Sequence, residues 1–326
     1  MLASTTSTPR GHRAWRPALA PLAVIASLAV ALLAAGTSGC GAVKSSAIRM
    51  VADQLSAGSS GFSSDNDPEL IREALPFGLK TLESLAAELP KHRPLLRSLA
   101  SGFTSYAVAF VLPEVRPLEA VDLDRAREQR VRARKLCLRG RDYGLRALEV
   151  AYPAIRRGLA ADPARAVAAM KTADVPDLYW TAAGWGMAIS TGKDQMDLVA
   201  DVPVVEALIA RAHALDEAWD DGSIHEFLIA FESRGESMGG SLDRARRHFT
   251  RAMELAKGRR ISPLVSLAEN VCIQTQNRKE FDTLIDQAIA FDVEQFPEIR
   301  LLNLLAQRKA RQLKAMADDL FLEEGQ

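Results

Sequence analysis

From Asp65 onward the apolar residues of this chain recur three and four positions apart, and proline interrupts that pattern at short intervals. No stretch alternates apolar and polar residues convincingly, as a half-buried strand would. The interruptions fall at Leu89-Pro90, Leu112-Pro113, Tyr152-Pro153, Asp162-Pro163, Val175-Pro176, Val202-Pro203, Gly239-Gly240, Ser262-Pro263 and Phe296-Pro297. Proline has no amide proton to give a helix interior, so these sites separate helices. An all-α fold follows, an array of paired antiparallel helices joined by short turns.

Repeated spacing sharpens that expectation. Ala245, Phe249 and Ala252 occupy the packing positions of the second helix of a tetratricopeptide-like repeat; Val205, Ile209 and Ala212, and Phe281, Ile285 and Ala288, occupy the same positions. Leu96, Leu99, Ala100 and Phe103, and Leu264, Leu267, Ala268 and Val271, fit the first helix. The repeats are degenerate and span a domain at 65–326. Its last helix, Leu301 to Leu320, is expected to cap the array, with Leu301, Leu304, Leu305 and Leu313 facing inward.

The N-terminus reads as a targeting segment over residues 1–39. Arg10, Arg13 and Arg16 precede an apolar run from Pro17 to Ala35, then Gly36-Thr37-Ser38-Gly39-Cys40. Small residues before a cysteine resemble a bacterial lipoprotein signal, with Cys40 lipidated, although Thr37 stands where Leu, Val or Ile is usual. An uncleaved anchor is the alternative. Both hold the chain at a membrane, outside the cytoplasm. Residues 40–64 read as a flexible tether, with a Gly/Ser cluster at 57–61. Gly41 leans toward the outer membrane. Asp65, Asp67 and Glu69 read as a helix start rather than a calcium loop. Cys137 and Cys272 sit in apolar helical patterns and read as buried thiols.

Lysine and arginine number 41, as do aspartate and glutamate, which excludes broad electrostatic binding to nucleic acid. Three short strings imitate catalytic motifs. Gly235-Glu236-Ser237-Met238-Gly239 resembles a nucleophile elbow, but an apparent helix precedes it. His225-Glu226 begins a zinc motif whose second histidine is replaced by Ile229. Gly192-Lys193 lacks a correctly spaced glycine and is followed by Asp194. The five histidines show no ligand spacing. The reading is therefore of a protein that is not an enzyme, with no metal and no cofactor.

Two features point to binding. Arg125, Arg132, Arg139 and Arg146 lie seven apart and form one basic stripe, either a solvated face or a dock for an acidic partner. The opposite side, Ala126, Ala133, Cys137, Gly140, Gly144 and Ala147, is small enough for close helix packing. In DLYWTAAGWGMAIS (177–190), Tyr179, Trp180 and Trp185 stand among Gly184 and other small residues. They form either a core helix or the wall of a cavity, to which Phe103 and Tyr106 are assigned as well. Of the two indoles, one is expected to border that cavity.

Residues 63–111, then RARKLCLRGRDYGLRALE, LYWTAAGWGMAIS, HEFLIAFES, GGSLDRARRHFTRAMEL and RLLNLLAQRKARQLKAMADDLF, resemble the TatT family in order. These are tetratricopeptide-like T-components associated with TRAP transporters. The resemblance implies a periplasmic, lipid-anchored protein whose partner is the TRAP solute-binding protein. It further implies contact with a small organic acid or hydrophobic ligand. A general helical scaffold for envelope proteins, with no small-molecule role, is the alternative, and a homo-oligomer stays open.

Overall fold

The computed structural model describes residues 60–322, and every regular element among them is helical. The targeting segment, Cys40 and most of the expected tether lie outside the described residues. Ten main helices follow in order. They are α1 Pro68–Glu88, α2 Arg93–Tyr106, α3 Leu123–Ala151, α4 Val175–Ser190, α5 Val202–Leu215, α6 Trp219–Glu232, α7 Leu242–Ala256, α8 Ser262–Leu267, α9 Arg278–Ala290 and α10 Arg300–Ala315. Short helical turns connect several of them. Both α2 and α8 run on into π turns, Ala107–Val111 and Ala268–Cys272.

Local chemistry sets the ends. Asp67 Oδ1 accepts from the amides of Glu69 and Leu70 at 3.0 and 3.1 Å, with Pro68 at the first helical position. That acidic cluster is a helix cap. Asp122, Ser241 and Asn277 cap α3, α7 and α9 in the same way. Each proline interruption falls at an element boundary, whereas Pro76 lies inside α1.

Consecutive helices pack on one another: α3 lies between α2 and α4, α4 meets α5, α6 meets α7, and α9 meets α10. The triplet positions on α5, α7 and α9 point into the core; apart from half-buried Phe249, all are at most 1% exposed. The stretch Arg93–Glu119 is long and apolar enough to cross a membrane on those measures alone. Its Leu95, Leu96, Leu99, Phe103 and Phe110 instead fill a core shared with α1 and α3. The small side of α3 is buried at all six positions, from Ala126 to Ala147. Cys137 and Cys272 are both buried free thiols.

The C-terminal helix departs from a simple end cap. Leu301 and Leu313 are buried as expected, while Leu304 and Leu305 are half-buried; Asn303, Ala306, Gln307 and Ala310 complete the inner face. Leu301 and Leu305 pack into the core of α1 and α2. Arg308 pairs with Glu69 at 2.5 Å, Gln312 donates to the Pro113 carbonyl at 2.6 Å, and Arg300 donates to the Ser64 carbonyl at 2.6 Å. Helix α10 therefore joins the last helices to the first, and ordered packing begins a few residues ahead of Asp65.

Candidate functional site

The apolar stretch of α4 is fixed at its start by charge. Asp177, 1% exposed, accepts from Arg97 Nη2 at 3.1 Å and from Arg93, both on α2. Asp174 just before α4 accepts from Arg93, from the Tyr152 hydroxyl at 2.6 Å and from the Lys171 amide at 2.8 Å. Burial alone would raise the Asp174 carboxyl. The Tyr152, Lys171 and Arg93 donors outweigh it and hold the group below the usual carboxylate range.

One side of α4 is packed shut, which corrects part of the expected cavity. A Cβ on Gly184 would lie 2.9 Å from the Arg141 amide nitrogen and 3.0 Å from the Cys137 carbonyl oxygen, so the α3 backbone occupies that space. Trp185 is core: it is 8% exposed, its indole N–H donates to Asp201 Oδ2 at 3.0 Å, and Arg141 lies over its ring. Phe103 and Tyr106 belong to the separate core of α1, α2 and α3, where Phe103 stacks on Tyr143 with ring centres 6.0 Å apart.

The other side carries an aromatic cluster packed against the core around Trp185. Tyr179 and Trp180 are half-buried, and the Tyr179 ring meets Trp180 at 5.0 Å, Trp219 at 4.7 Å and Phe227 at 6.4 Å. Phe231 stacks on Phe227 behind them. The Tyr179 hydroxyl has no hydrogen-bond partner among the described residues, yet burial pushes its pKa above that of an ordinary phenol. Glu226 and Asp220 push the same way against Arg260.

Polar groups stand close to Tyr179 on α6 and the turn before α8. Ser262 Oγ donates to Glu226 Oε2 at 2.8 Å, and burial raises the Glu226 carboxyl, favouring its neutral form. Arg260, 8% exposed, donates to Ser223 Oγ at 2.5 Å and pairs with Asp220 at 3.0 Å, while its buried Nε has no partner among the described residues. The backbone beneath is strained. Asp220, Asp221 and Gly222 have φ of 49°, 52° and 92°, three left-handed residues in succession. Arg259 holds Asp221 at 3.0 Å, Arg260 holds Asp220, and Asn303 of α10 donates to the Arg259 carbonyl at 2.9 Å. Aromatic rings, a phenol, a carboxyl and a guanidinium are gathered here. Glu226, Arg260 and Trp219 were not legible as site residues, because the left-handed turn that gathers them has no sequence signature beyond Asp-Asp-Gly.

The arginines of α3 are partly committed to neighbours. Arg132, Arg139 and Arg146 lie over Tyr106, Phe103 and Tyr143 at 5.9, 4.9 and 5.1 Å. Arg139 is also tied to Glu83 at 2.5 Å. Arg125, Arg132 and Arg146 have no carboxylate partner among the described residues. Ser237 sits exposed on a turn between α6 and α7, so the nucleophile elbow lacks its strand. Spacing missed one juxtaposition altogether: His213, His225 and His248, on α5, α6 and α7, offer ring nitrogens all within 4.8 Å of one another.

The profile of the TRAP transporter T-component family (TAtT) matches residues 64–321. A protein of Treponema pallidum (strain Nichols), described as uncharacterized, is 32% identical over 267 residues, covering 80% of this chain and 83% of that protein. The matched span runs from α1 through α10, and the chain belongs to the TRAP transporter T-component family.

Proposed function

We propose that this T-component is a lipid-anchored periplasmic lipoprotein, built on degenerate tetratricopeptide-like helix pairs. It docks the solute-binding protein of its TRAP transporter and shelters that system's small organic acid or hydrophobic ligand. The observation that carries the reading is the half-buried aromatic cluster at Tyr179, whose phenol has no hydrogen bond among the described residues and which stands beside Glu226 and Arg260. Family membership supplies the transporter, the Cys40 signal supplies the anchor, and the unpaired arginines of α3 offer a face to carboxylates on the solute-binding protein.

The test uses the full chain extracted in detergent and a TRAP solute-binding protein from the same organism. Binding is followed by biolayer interferometry, and native mass spectrometry identifies any co-purifying small molecule. Arg132→Glu with Arg146→Glu should abolish docking and leave the small molecule in place. Tyr179→Ala with Arg260→Met should do the reverse. A wild-type protein that neither binds the solute-binding protein nor carries a small molecule sinks the proposal.

A further inference from the structure

Three of the chain's five histidines meet where α5, α6 and α7 pack. His225 and His248 bring their Nδ1 atoms to 2.8 Å, and the rings of His213 and His225 stand edge to face at 4.9 Å between centres. His225 is 3% exposed, whereas His213 and His248 are half-buried, so the cluster is walled but reachable. The Nε2 of His225 is buried without a hydrogen bond and lies 3.3 Å from Glu217 Oε2; a small ring rotation completes that contact. Glu217 spends its other oxygen on Arg251 at 2.5 Å, and Arg251 pairs in turn with Glu254.

We propose that His213, His225 and His248 hold a divalent transition-metal ion of the zinc class, with Glu217 fixing the ring of His225. Zinc–imidazole bonds of about 2.0–2.1 Å in a tetrahedral site place ligand nitrogens about 3.3–3.4 Å apart, and the observed separations bracket that value. A proton on His225 Nε2, aimed at Glu217, leaves the Nδ1 lone pair directed at the shared centre, as a carboxylate behind a metal-bound histidine does. Three neutral imidazoles suit zinc and its neighbours better than magnesium or calcium, which require oxygen ligands. The ion would clamp α5, α6 and α7 together, and the assignment is independent of any ligand at the Tyr179 cluster.

The test uses the full chain in detergent, made without a polyhistidine tag and stripped with chelator. Titration with Co²⁺ should give one ion per chain and the strong visible bands of a four-coordinate site, displaced by Zn²⁺. Glu217→Gln should weaken binding about 10–100-fold, and His213→Ala or His248→Gln by more, with helical circular dichroism confirming that each variant folds. If a variant does not fold, X-ray absorption of the Zn²⁺-loaded wild type decides, with imidazole scattering from three histidines expected. Stoichiometry far below one, unchanged affinity in the folded histidine variants, or no imidazole scattering would overturn the assignment.

Discussion

Gly184→Ala separates a packed crossing from an open cavity. In an unobstructed helix, glycine to alanine stabilises by about 0.5–1 kcal/mol through backbone entropy. At Gly184 the added carbon would fall 2.9 Å from Arg141 N, 3.0 Å from Cys137 O and 3.0 Å from Thr104 Oγ1, whereas ordinary contacts begin at 3.4 Å. Two of the three atoms are backbone, so α3 and α4 must part by roughly half an ångström. That movement disturbs the equally close approach of Gly144 to Thr181. Overpacking of this kind costs about 1–3 kcal/mol, here toward the upper end because backbone cannot rotate away. After the propensity gain, the net loss is about 1–2 kcal/mol, a Tm decrease of about 2–8 °C for a domain of this size. Gly78→Ala in α1 is the control, because a Cβ there meets nothing within 4 Å and Tm should rise by about 1–4 °C. Thermal unfolding by far-UV circular dichroism measures both. A Gly184→Ala protein that gains stability as the control does would refute the crossing and return the space beside Gly184 to a cavity.

Other consequences are equally direct. Burial raises the Glu226 carboxyl in the folded protein, so the folded state binds its proton more tightly than the unfolded chain does. Stability should therefore fall as pH rises from the ordinary glutamate value through the raised one, and urea midpoints of Glu226→Gln should lose that component. Asp174 shifts the other way, so its contribution is complete above the unfolded aspartate pKa and disappears as pH drops through the lowered folded value. Arg93→Ala should cost about 3–5 kcal/mol by leaving Asp174 and buried Asp177 short of a partner, and should flatten that acid limb. Burial pushes the thiols of Cys137 and Cys272 up to about 12, so neither should react with a disulfide reagent until denaturant is added; rapid labelling of the native protein would contradict their packing.

The helices were legible because proline and the 3-and-4 spacing act locally, and the buried side of α3 could be named to the residue from its run of Ala, Gly and Cys. Aromatic character alone does not separate half-buried Tyr179 and Trp180 from Trp185, whose N–H is satisfied by Asp201 sixteen residues away. Gly184 misled for a physical reason: a missing side chain makes room equally for a ligand or for a neighbouring backbone. The polar groups near Tyr179, and the three clustered histidines, come from helices whose adjacency is tertiary. Arg260 reaches Ser223 across 37 residues and His248 reaches His225 across 23, separations that no spacing rule encodes.

The contacts of α10 with the first helices have a consequence for mechanics. An open solenoid has two free ends, can unzip from either, and behaves as a spring whose pitch a partner can change. Tying Arg308 to Glu69 and Gln312 to Pro113 links the last main helix to the first elements, so neither end can fray without breaking contacts at the other. The described helices should then unfold as a single cooperative body.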